Sequence, residues 1–193
     1  MDTDKIIKTL INGGIVAFPT DTVFGLACIM EKEAIAKVYE AKGRSFDKPL
    51  PMMCDSFEMI DEVAYVNAKA KKIIDVLMPG ALTLIFRKKE CVEDYVTMCK
   101  PTIGIRVPED DFILNLIGKI GMPFLVTSAN VSGEGSLLKW QDVLACMEGK
   151  IDAIVCEDAR GECASTIIDV TEEDIKVLRE GPVSLKEIQE VLQ

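Results

Sequence analysis

Residues 125–133 read Leu-Val-Thr-Ser-Ala-Asn-Val-Ser-Gly, an apolar stretch that passes directly into small polar residues. The apolar part predicts a buried strand, and the polar part predicts a tight turn at its carboxyl end. Ser128, Asn130 and Ser132 add nothing to hydrophobic packing, and open α/β sheets bind ligands where their strands end. The stretch therefore indicates either a ligand-binding turn or an ordinary strand-to-helix turn, in which Ser, Asn and Gly are the usual residues.

Three other apolar segments carry small hydroxyl side chains or an arginine where they begin or end. One leads to Thr20 and Thr22, a second ends at Arg106, and a third begins directly after Ser165. Because the pattern recurs, we predict that these ends form the rim of one site. An arginine after alternating isoleucines is unusual for a surface charge, and Arg106 suits either a ligand carboxylate or phosphate, or a structural salt bridge.

The charge balance and the histidine and cysteine content argue against several classes of function. The 193 residues carry a formal net charge of −10, with 32 acidic and 22 basic side chains, seven cysteines and no histidine. The acidic balance argues against a broad nucleic-acid-binding surface, which needs clustered positive charge. The lack of histidine excludes mechanisms built on an imidazole base. Neither a zinc site of the usual kind nor a disulfide framework is expected, and we expect most cysteines to be reduced core residues.

Length and hydropathy predict one domain over residues 1–193. No stretch is long and apolar enough to cross a membrane. The acidic N-terminus, residues 1–4, lacks a signal-peptide pattern. We therefore expect a soluble, cytoplasmic protein.

Hydrophobic periodicity and capping residues predict helices that alternate with short strands. The predicted helices cover residues 3–11, 31–42, 67–78, 110–120 and 140–147, with a terminal helix that a capping box opens at Ser184. The predicted strands cover residues 15–18, 50–54, 82–86, 102–107, 125–127, 151–156, 166–170 and 175–178. Because some strands follow one another directly, a mixed α/β or α+β sheet fits better than a purely parallel one.

The loop after the second predicted helix contains Lys42, Arg44 and Lys48, punctuated by glycine and proline. Such a loop either wraps a polyphosphate or is a solvated basic loop. The chain has no Gly-x-x-x-x-Gly-Lys-Ser/Thr motif and no convincing Gly-x-Gly-x-x-Gly motif. Scattered Lys, Arg, Ser and Asn side chains would have to hold any nucleotide, and this set suits phosphate chemistry, where positioning and charge neutralisation dominate.

The order of these motifs resembles the TsaC/YrdC family, the threonylcarbamoyl-AMP synthases of tRNA modification. The matching segments span nearly the whole chain: 19–26 (PTDTVFGL), 42–44 (KGR), 79–83 (PGALT), 104–108 (GIRVP), 127–133 (TSANVSG), 165–166 (ST) and 179–181 (REG). The resemblance implies a twisted α/β fold with a large concave groove. It implies ATP, bicarbonate and L-threonine as substrates, with Mg²⁺, and a product that a separate tRNA-modifying complex uses.

The resemblance also assigns roles on the nucleotide side. The Lys-x-Arg motif places Lys42 and Arg44 on the phosphates. The Ser-x-Asn motif places Ser128 and Asn130 against the nucleotide and the carbamate. The remaining nucleotide contacts would be Thr102 and Arg179.

On the amino-acid side, the resemblance implies that Arg106 holds the threonine carboxylate. Thr20, Thr22 and Ser165 would also contact threonine, although the match around residues 160–164 is loose. We expect no metal site built from the protein's own ligands. With these roles, Lys42→Ala and Arg106→Ala should each fold normally and lose adenylate formation.

Alternatives from other classes remain open at this point. A paralogous subgroup typified by YciO shares the fold and parts of the motifs, and related modules occur in larger hydrogenase-maturation carbamoyltransferases. An RNA-binding module is a further alternative, with weak tRNA contact through the groove, although the net charge of −10 opposes it. The chain ends soon after Arg179 and so resembles the short, single-domain form.

Overall fold

The computed structural model describes residues 3–193, so Met1 and Asp2 of the acidic N-terminal stretch lie outside the described residues. The helices are α1 (Thr3–Ile11), α2 (Lys32–Lys42), α3 (Phe57–Val63), α4 (Ala68–Leu77), α5 (Asp111–Ile120), α6 (Trp140–Met147) and α7 (Leu185–Leu192). The strands are β1 (Val16–Phe18), β2 (Gly25–Cys28), β3 (Met52–Met53), β4 (Ala64–Tyr65), β5 (Leu82–Lys88), β6 (Thr102–Arg106), β7 (Phe124–Ser128), β8 (Ala153–Ile154), β9 (Thr166–Asp169) and β10 (Lys176–Arg179). Across residues 3–193, no helix has the length and apolar character needed to span a bilayer.

Capping residues fix several of the helix boundaries. The Asn67 side chain accepts a hydrogen bond from the backbone of Ala70 at the start of α4. Ser184 opens α7 with the predicted capping box. Gly43 and Gly121 end α2 and α5 in the left-handed conformation, at φ 56° and 75°, which glycine adopts without steric cost.

The strands form one mixed sheet in the order β10-β9-β5-β6-β3-β7-β2-β1-β8, and β4 pairs with β5. The parallel pairs are β1–β8, β3–β6 and β5–β9, and the other pairs are antiparallel. This arrangement confirms the predicted mixed α/β sheet. The short elements α3, β2 and β4 were not predicted, because helix and strand periodicity is weak over so few residues.

The two faces of the sheet differ in character along β6. Ile103 and Ile105 are buried in the hydrophobic core, and Ile105 lies opposite Leu84 of β5. Successive side chains of a strand point to opposite faces, so Thr102, Gly104 and Arg106 project away from that core. The second face therefore carries polar groups over the centre of the sheet.

The cysteines correct one prediction. Only Cys28 and Cys54 are buried, and burial raises the pKa of the Cys28 thiol to about 12. All seven thiols are free, and the remaining five are exposed or half-buried: Cys91, Cys99, Cys146, Cys156 and Cys163. Most of the cysteines thus lie outside the core, because four of these five are in loops and Cys146 is on the surface helix α6.

Candidate active site

A cavity of about 420 Å³ lies over the polar face of the sheet. Alternate residues of β5, β6 and β9 form its floor, and Gly104 occupies the centre of β6. A Cβ atom on Gly104 would lie 3.1 Å from the Ile85 side chain and 3.4 Å from that of Thr83. The absence of a side chain at Gly104 therefore leaves space that a larger residue would fill.

The position of the cavity corrects the expectation that the site lies where strands end at their carboxyl side. Thr102 begins β6, whereas Arg106 ends it, and both line the cavity. Because β5 and β6 are antiparallel, strand beginnings and strand ends alternate along the same border of the sheet. The site accordingly spreads over a face of the sheet.

Most of the predicted site residues meet in this cavity. Eight of the ten line it: Thr20, Thr22, Arg44, Thr102, Arg106, Ser128, Ser165 and Arg179. Lys42 and Asn130 are both buried and lie behind Ser128, away from the cavity surface. The roles that the sequence predicts for these residues toward ligands stay predictions.

Arg106 connects β6 to the turn that follows β1. Its Nε donates to the Gly80 carbonyl at 2.9 Å, and its Nη1 donates to Thr22 Oγ1 at 2.7 Å. Its Nη2 forms a 2.6 Å ion pair with Asp21 Oδ2. Only 4% of Arg106 is exposed, and burial lowers the pKa of its guanidinium, an effect that the Asp21 carboxylate opposes. The side chain is thus held in a buried salt bridge while it faces the cavity.

Thr20 and Thr22 form a self-supporting turn. Thr20 Oγ1 accepts from the backbone N–H of Thr22 at 3.0 Å and donates to the Val23 carbonyl at 2.7 Å. The Thr20 carbonyl in turn accepts from the backbone N–H of Arg160 at 3.1 Å. Residues 160–164, where the sequence match is loose, therefore buttress this turn, and Ser165 follows them directly at the cavity.

Gly161 makes this buttress possible, because a Cβ atom there would lie 2.4 Å from the Thr22 carbonyl oxygen. We expect Gly161→Ala to lower the free energy of unfolding by roughly 1–3 kcal/mol, since backbone must shift to admit the methyl group. Urea unfolding measures the change. Gly135→Ala is the matched control, because its Cβ would meet nothing within 4 Å. Equal stability of the two variants would contradict the close packing.

Ser165 and Arg179 define another wall of the cavity. Ser165 Oγ hydrogen-bonds to Thr83 Oγ1 at 2.8 Å and accepts from Arg179 Nη2 at 3.1 Å, while Arg179 Nε donates to the Ser165 carbonyl at 2.9 Å. A Cβ atom on Gly181 would lie 2.4 Å from the backbone nitrogen of Thr166, so the 179–181 segment packs closely on this wall. These contacts fix Arg179 beside the opening.

Lys42 supports the Ser128–Asn130 turn from behind. Its ammonium donates to the carbonyl oxygens of Ser128 and Asn130, the second at 2.6 Å, and lies 3.4 Å from Asn130 Oδ1. The Asn130 amide donates to the carbonyls of Val131 and Glu134 at 2.9 and 2.8 Å. Both side chains are thus engaged by the protein itself, and they hold the turn that presents Ser128.

Desolvation, together with the nearby Arg44, lowers the pKa of Lys42 to about 8. The unfolded chain keeps this proton to about pH 10.4, so between these values the unfolded state binds more protons and stability rises with pH. We expect the stability difference between wild type and Lys42→Met to move in favour of wild type from pH 7 to pH 9.5. Urea unfolding at the two pH values tests this. A constant difference would show that the carbonyl oxygens keep the ammonium charged.

The charges around the cavity contrast with those of the whole chain. Among the described residues, four cations line it: Arg44, Lys100, Arg106 and Arg179. Asp169 is the one carboxylate of the lining, and its Oδ1 accepts from both the backbone and the hydroxyl of Thr171. A chain with a net charge of −10 therefore concentrates positive charge here, which suits an anionic ligand.

The lining also includes polar residues that were not predicted as site residues from sequence, among them Thr83, Asp169 and Lys100. Thr83 lies in the segment 79–83 that carries the family resemblance. Its alternation with Ile85 along β5 could have indicated that it faces the cavity. Asp169 alternates with Ile167 in the same way. Lys100 lies in a loop and has no comparable signal. Within residues 3–193, no group of three or more His, Cys, Asp or Glu side chains is placed to hold a metal ion.

Comparison with known proteins places this site in context. A family model for Sua5, YciO and YrdC, described as "Telomere recombination", matches residues 8–181. A protein of Methanocaldococcus jannaschii is 36% identical over 186 residues, which are 94% of this chain and 86% of that protein. The threonylcarbamoyl-AMP synthase of Pyrococcus abyssi is 36% identical over 183 residues, which are 93% of this chain and 54% of that enzyme.

Solved structures agree with these matches. The crystal structure of P. abyssi Sua5 complexed with L-threonine superposes with a TM-score of 0.91 at 34% identity, covering 98% of this chain and 57% of that one. The chain thus spans about half the length of the Pyrococcus proteins. E. coli YciO shares the fold, with a TM-score of 0.85 at 23% identity over 96% of this chain and 92% of that one. The chain belongs to the Sua5/YciO/YrdC family.

Proposed function

We propose that this chain is an L-threonylcarbamoyladenylate synthase, a nucleotidyltransferase that makes threonylcarbamoyl-AMP and pyrophosphate from L-threonine, bicarbonate and ATP. The observation that carries the proposal is the cavity, where cations and small hydroxyl side chains converge in an otherwise acidic chain. The name of the P. abyssi enzyme and the threonine complex of P. abyssi Sua5 support it. We further propose that residues 1–193 act as one catalytic unit in the cytoplasm.

In the proposed reaction, bicarbonate takes up a proton and loses water to give CO₂, and the amine nitrogen of threonine attacks the carbon of CO₂. A C–N bond forms and a proton is released, which leaves a carbamate. A carbamate oxygen then attacks the α-phosphorus of ATP, and the P–O bond to the pyrophosphate breaks. Charge neutralisation and alignment are the main demands of this second step, so a strong protein base is not required.

The part of the cavity that Arg106 lines suits threonine. Three N–H groups of Arg106 are engaged by Gly80, Thr22 and Asp21, and the guanidinium retains further N–H groups for a carboxylate. The salt bridge fixes the orientation of this fork before the substrate arrives. Thr20, Thr22 and Ser165 would contact the rest of the amino acid.

The remaining lining suits the nucleotide. Arg44 donates to the carbonyls of Lys48 and Pro49 at 3.1 and 3.3 Å, which holds the loop after α2 beside the opening. Arg44 and Arg179 would contact phosphates, and Thr102 and Ser128 would contact the nucleotide. Lys42 and Asn130 would act by holding the turn that carries Ser128.

Mg²⁺ would enter with ATP as part of the substrate. Magnesium in nucleotide sites is commonly held by one or two carboxylates together with phosphates and water. Asp169 supplies one carboxylate at the cavity, so the residues present fit a metal that the phosphates mainly hold. When bound, the metal would neutralise phosphate charge.

A pyrophosphate-release assay tests the proposed function. Purified protein would receive Mg-ATP, bicarbonate and L-threonine, and each would be omitted in turn. We expect release to require all three, with L-serine as a weaker substitute. Release that persists without threonine or bicarbonate would contradict the proposal, as would no release from a protein that still binds ATP, which would favour a YciO-like role.

The proposal includes a route for the product. A separate tRNA-modifying complex would consume threonylcarbamoyl-AMP, because a mixed anhydride with phosphate is short-lived in water. Direct contact with tRNA would be weak, because the net charge of the chain is −10 and phosphate backbones need clustered cations.

A further inference from the structure

Lys100 lines the cavity and directly follows two residues, Met98 and Cys99, whose backbone conformation is strained. Met98 and Cys99 both adopt the left-handed conformation, at φ 51° and 59°, which side chains other than glycine rarely take. The loop is fixed by Cys99 N–H to the Asp94 carbonyl at 2.8 Å and by Thr97 Oγ1 to the Lys100 carbonyl at 2.8 Å. Lys100 is therefore presented at the cavity by a well-tied loop.

Lys100 differs from the other cations of the lining in its bonding. Arg44, Arg106 and Arg179 each donate to protein oxygen atoms. In the part of the chain that the structure describes, the Lys100 ammonium is exposed and makes no hydrogen bond or close ion pair. An exposed, flexible ammonium at a binding cavity is free to follow a ligand.

The pairing of β3 with β6 places Lys100 beside the loop after α2. These two strands are parallel, with Met52 opposite Ile105, so the segments that precede them lie side by side. A hydrogen bond from Ser45 lowers the pKa of the Asp47 carboxyl, and Lys48 and Lys100 lower it further through their charge. Arg44 belongs to this loop, and both Arg44 and Lys100 line the cavity. Arg106 lies at the far end of β6 from Lys100 and is already paired with Asp21.

We infer that Lys100 binds the β- and γ-phosphates of ATP, the portion that leaves as pyrophosphate. The inference rests on the proposed function and extends it to a residue that neither the motifs nor the comparisons assign. Polyphosphate carries the highest charge among the substrates, and it would lie where the Lys100 ammonium and Arg44 line the same cavity. The ammonium would neutralise charge on the leaving group as the P–O bond breaks.

Calorimetric titration of pyrophosphate, ATP and AMP into Lys100→Met tests the inference. We expect pyrophosphate and ATP to bind about tenfold more weakly, because one charged hydrogen bond is lost at a partly solvated site. AMP should bind within about twofold of wild type, since it lacks the phosphates in question. Lys100→Arg should restore most of the affinity. Lys72→Met, an exposed position on α4, removes the same charge elsewhere and serves as the control.

Asp47 supplies a second readout. Asp47→Asn should tighten pyrophosphate binding in the wild-type background, because it removes a negative charge that repels phosphates bound at Lys100. The gain should shrink in the Lys100→Met background, where the phosphates are no longer drawn to this side. Equal weakening of AMP and ATP, or an equal effect of Lys72→Met, would overturn the inference. If wild type makes no threonylcarbamoyl-AMP but keeps this Lys100 dependence, the proposed function fails and the phosphate site stands.

Discussion

Replacing Arg106 with alanine is expected to lower the free energy of unfolding by roughly 3–5 kcal/mol, because the buried Asp21 carboxylate loses its partner. Asp21 Oδ2 is 2.6 Å from the guanidinium, and Asp21 Oδ1 is buried without a hydrogen-bond partner in the described part of the chain. Threonine binding should disappear in the same variant. ATP binding should change little, because the proposed nucleotide contacts lie elsewhere in the cavity.

A set of related variants separates stability from binding. Asp21→Asn combined with Arg106→Met removes both charges, and we expect it to recover much of the lost stability without restoring threonine binding. Arg106→Lys keeps a charge but loses the planar fork, so it should bind threonine weakly. Urea unfolding and calorimetric titration measure the two properties. An Arg106→Ala protein with wild-type affinity for threonine would remove Arg106 from the threonine site.

The second large effect is expected at Lys42. Lys42→Met removes the donor from the carbonyl oxygens of Ser128 and Asn130, and each unsatisfied buried group costs roughly 1–3 kcal/mol. The turn that carries Ser128 should shift, and small misplacements of reacting groups lower rates by on the order of 100-fold. We expect both reduced stability and a fall of that order in kcat/KM.

Lys37 offers a matched control on the same helix. Its ammonium donates to the Gly13 carbonyl at 2.7 Å, away from the cavity. Lys37→Met should lower stability modestly and leave kcat/KM unchanged. Urea unfolding and pyrophosphate release, measured on both variants, show whether the loss of kcat/KM is specific to Lys42. A Lys42→Met protein with normal turnover would show that the turn holds its shape without the ammonium.

These two cases revise what the sequence suggests about mutations. From sequence, Lys42→Ala and Arg106→Ala were expected to fold normally and lose only adenylate formation. The structure gives both side chains buried hydrogen bonds that support the turns around the cavity. A loss of stability is therefore expected beside any loss of activity, because a buried charge is seldom held without protein partners.

The strands and their polar residues could be predicted from sequence because alternation and capping are local features of the chain. Alternation along β6 places Ile103 and Ile105 in the core, and the same alternation places Thr102 and Arg106 together on the other face. Capping chemistry likewise predicted the start of α4 at Asn67 and the end of α5 at Gly121. These features depend on neighbours within a few residues.

Features that depend on distant parts of the chain were not predictable. The site lies on a face of the sheet because β5 and β6 run antiparallel, and strand directions are not encoded in local periodicity. The Lys42 ammonium donates to the carbonyl oxygens of Ser128 and Asn130, which lie 86 and 88 positions further along the chain. Lys100 depends on the left-handed backbone at Met98 and Cys99, which no residue preference indicates. Tertiary structure alone brings these groups to the cavity.

Mass spectrometry of the product made with ¹³C-bicarbonate tests the central claim most directly. Purified protein would be incubated with Mg-ATP, L-threonine and labelled bicarbonate, and the adenylates would be separated and weighed. We predict threonylcarbamoyl-AMP that is heavier by the single labelled carbon and that is absent when threonine is omitted. An adenylate without the labelled carbon, or no adenylate from protein that binds ATP and threonine, would contradict the account.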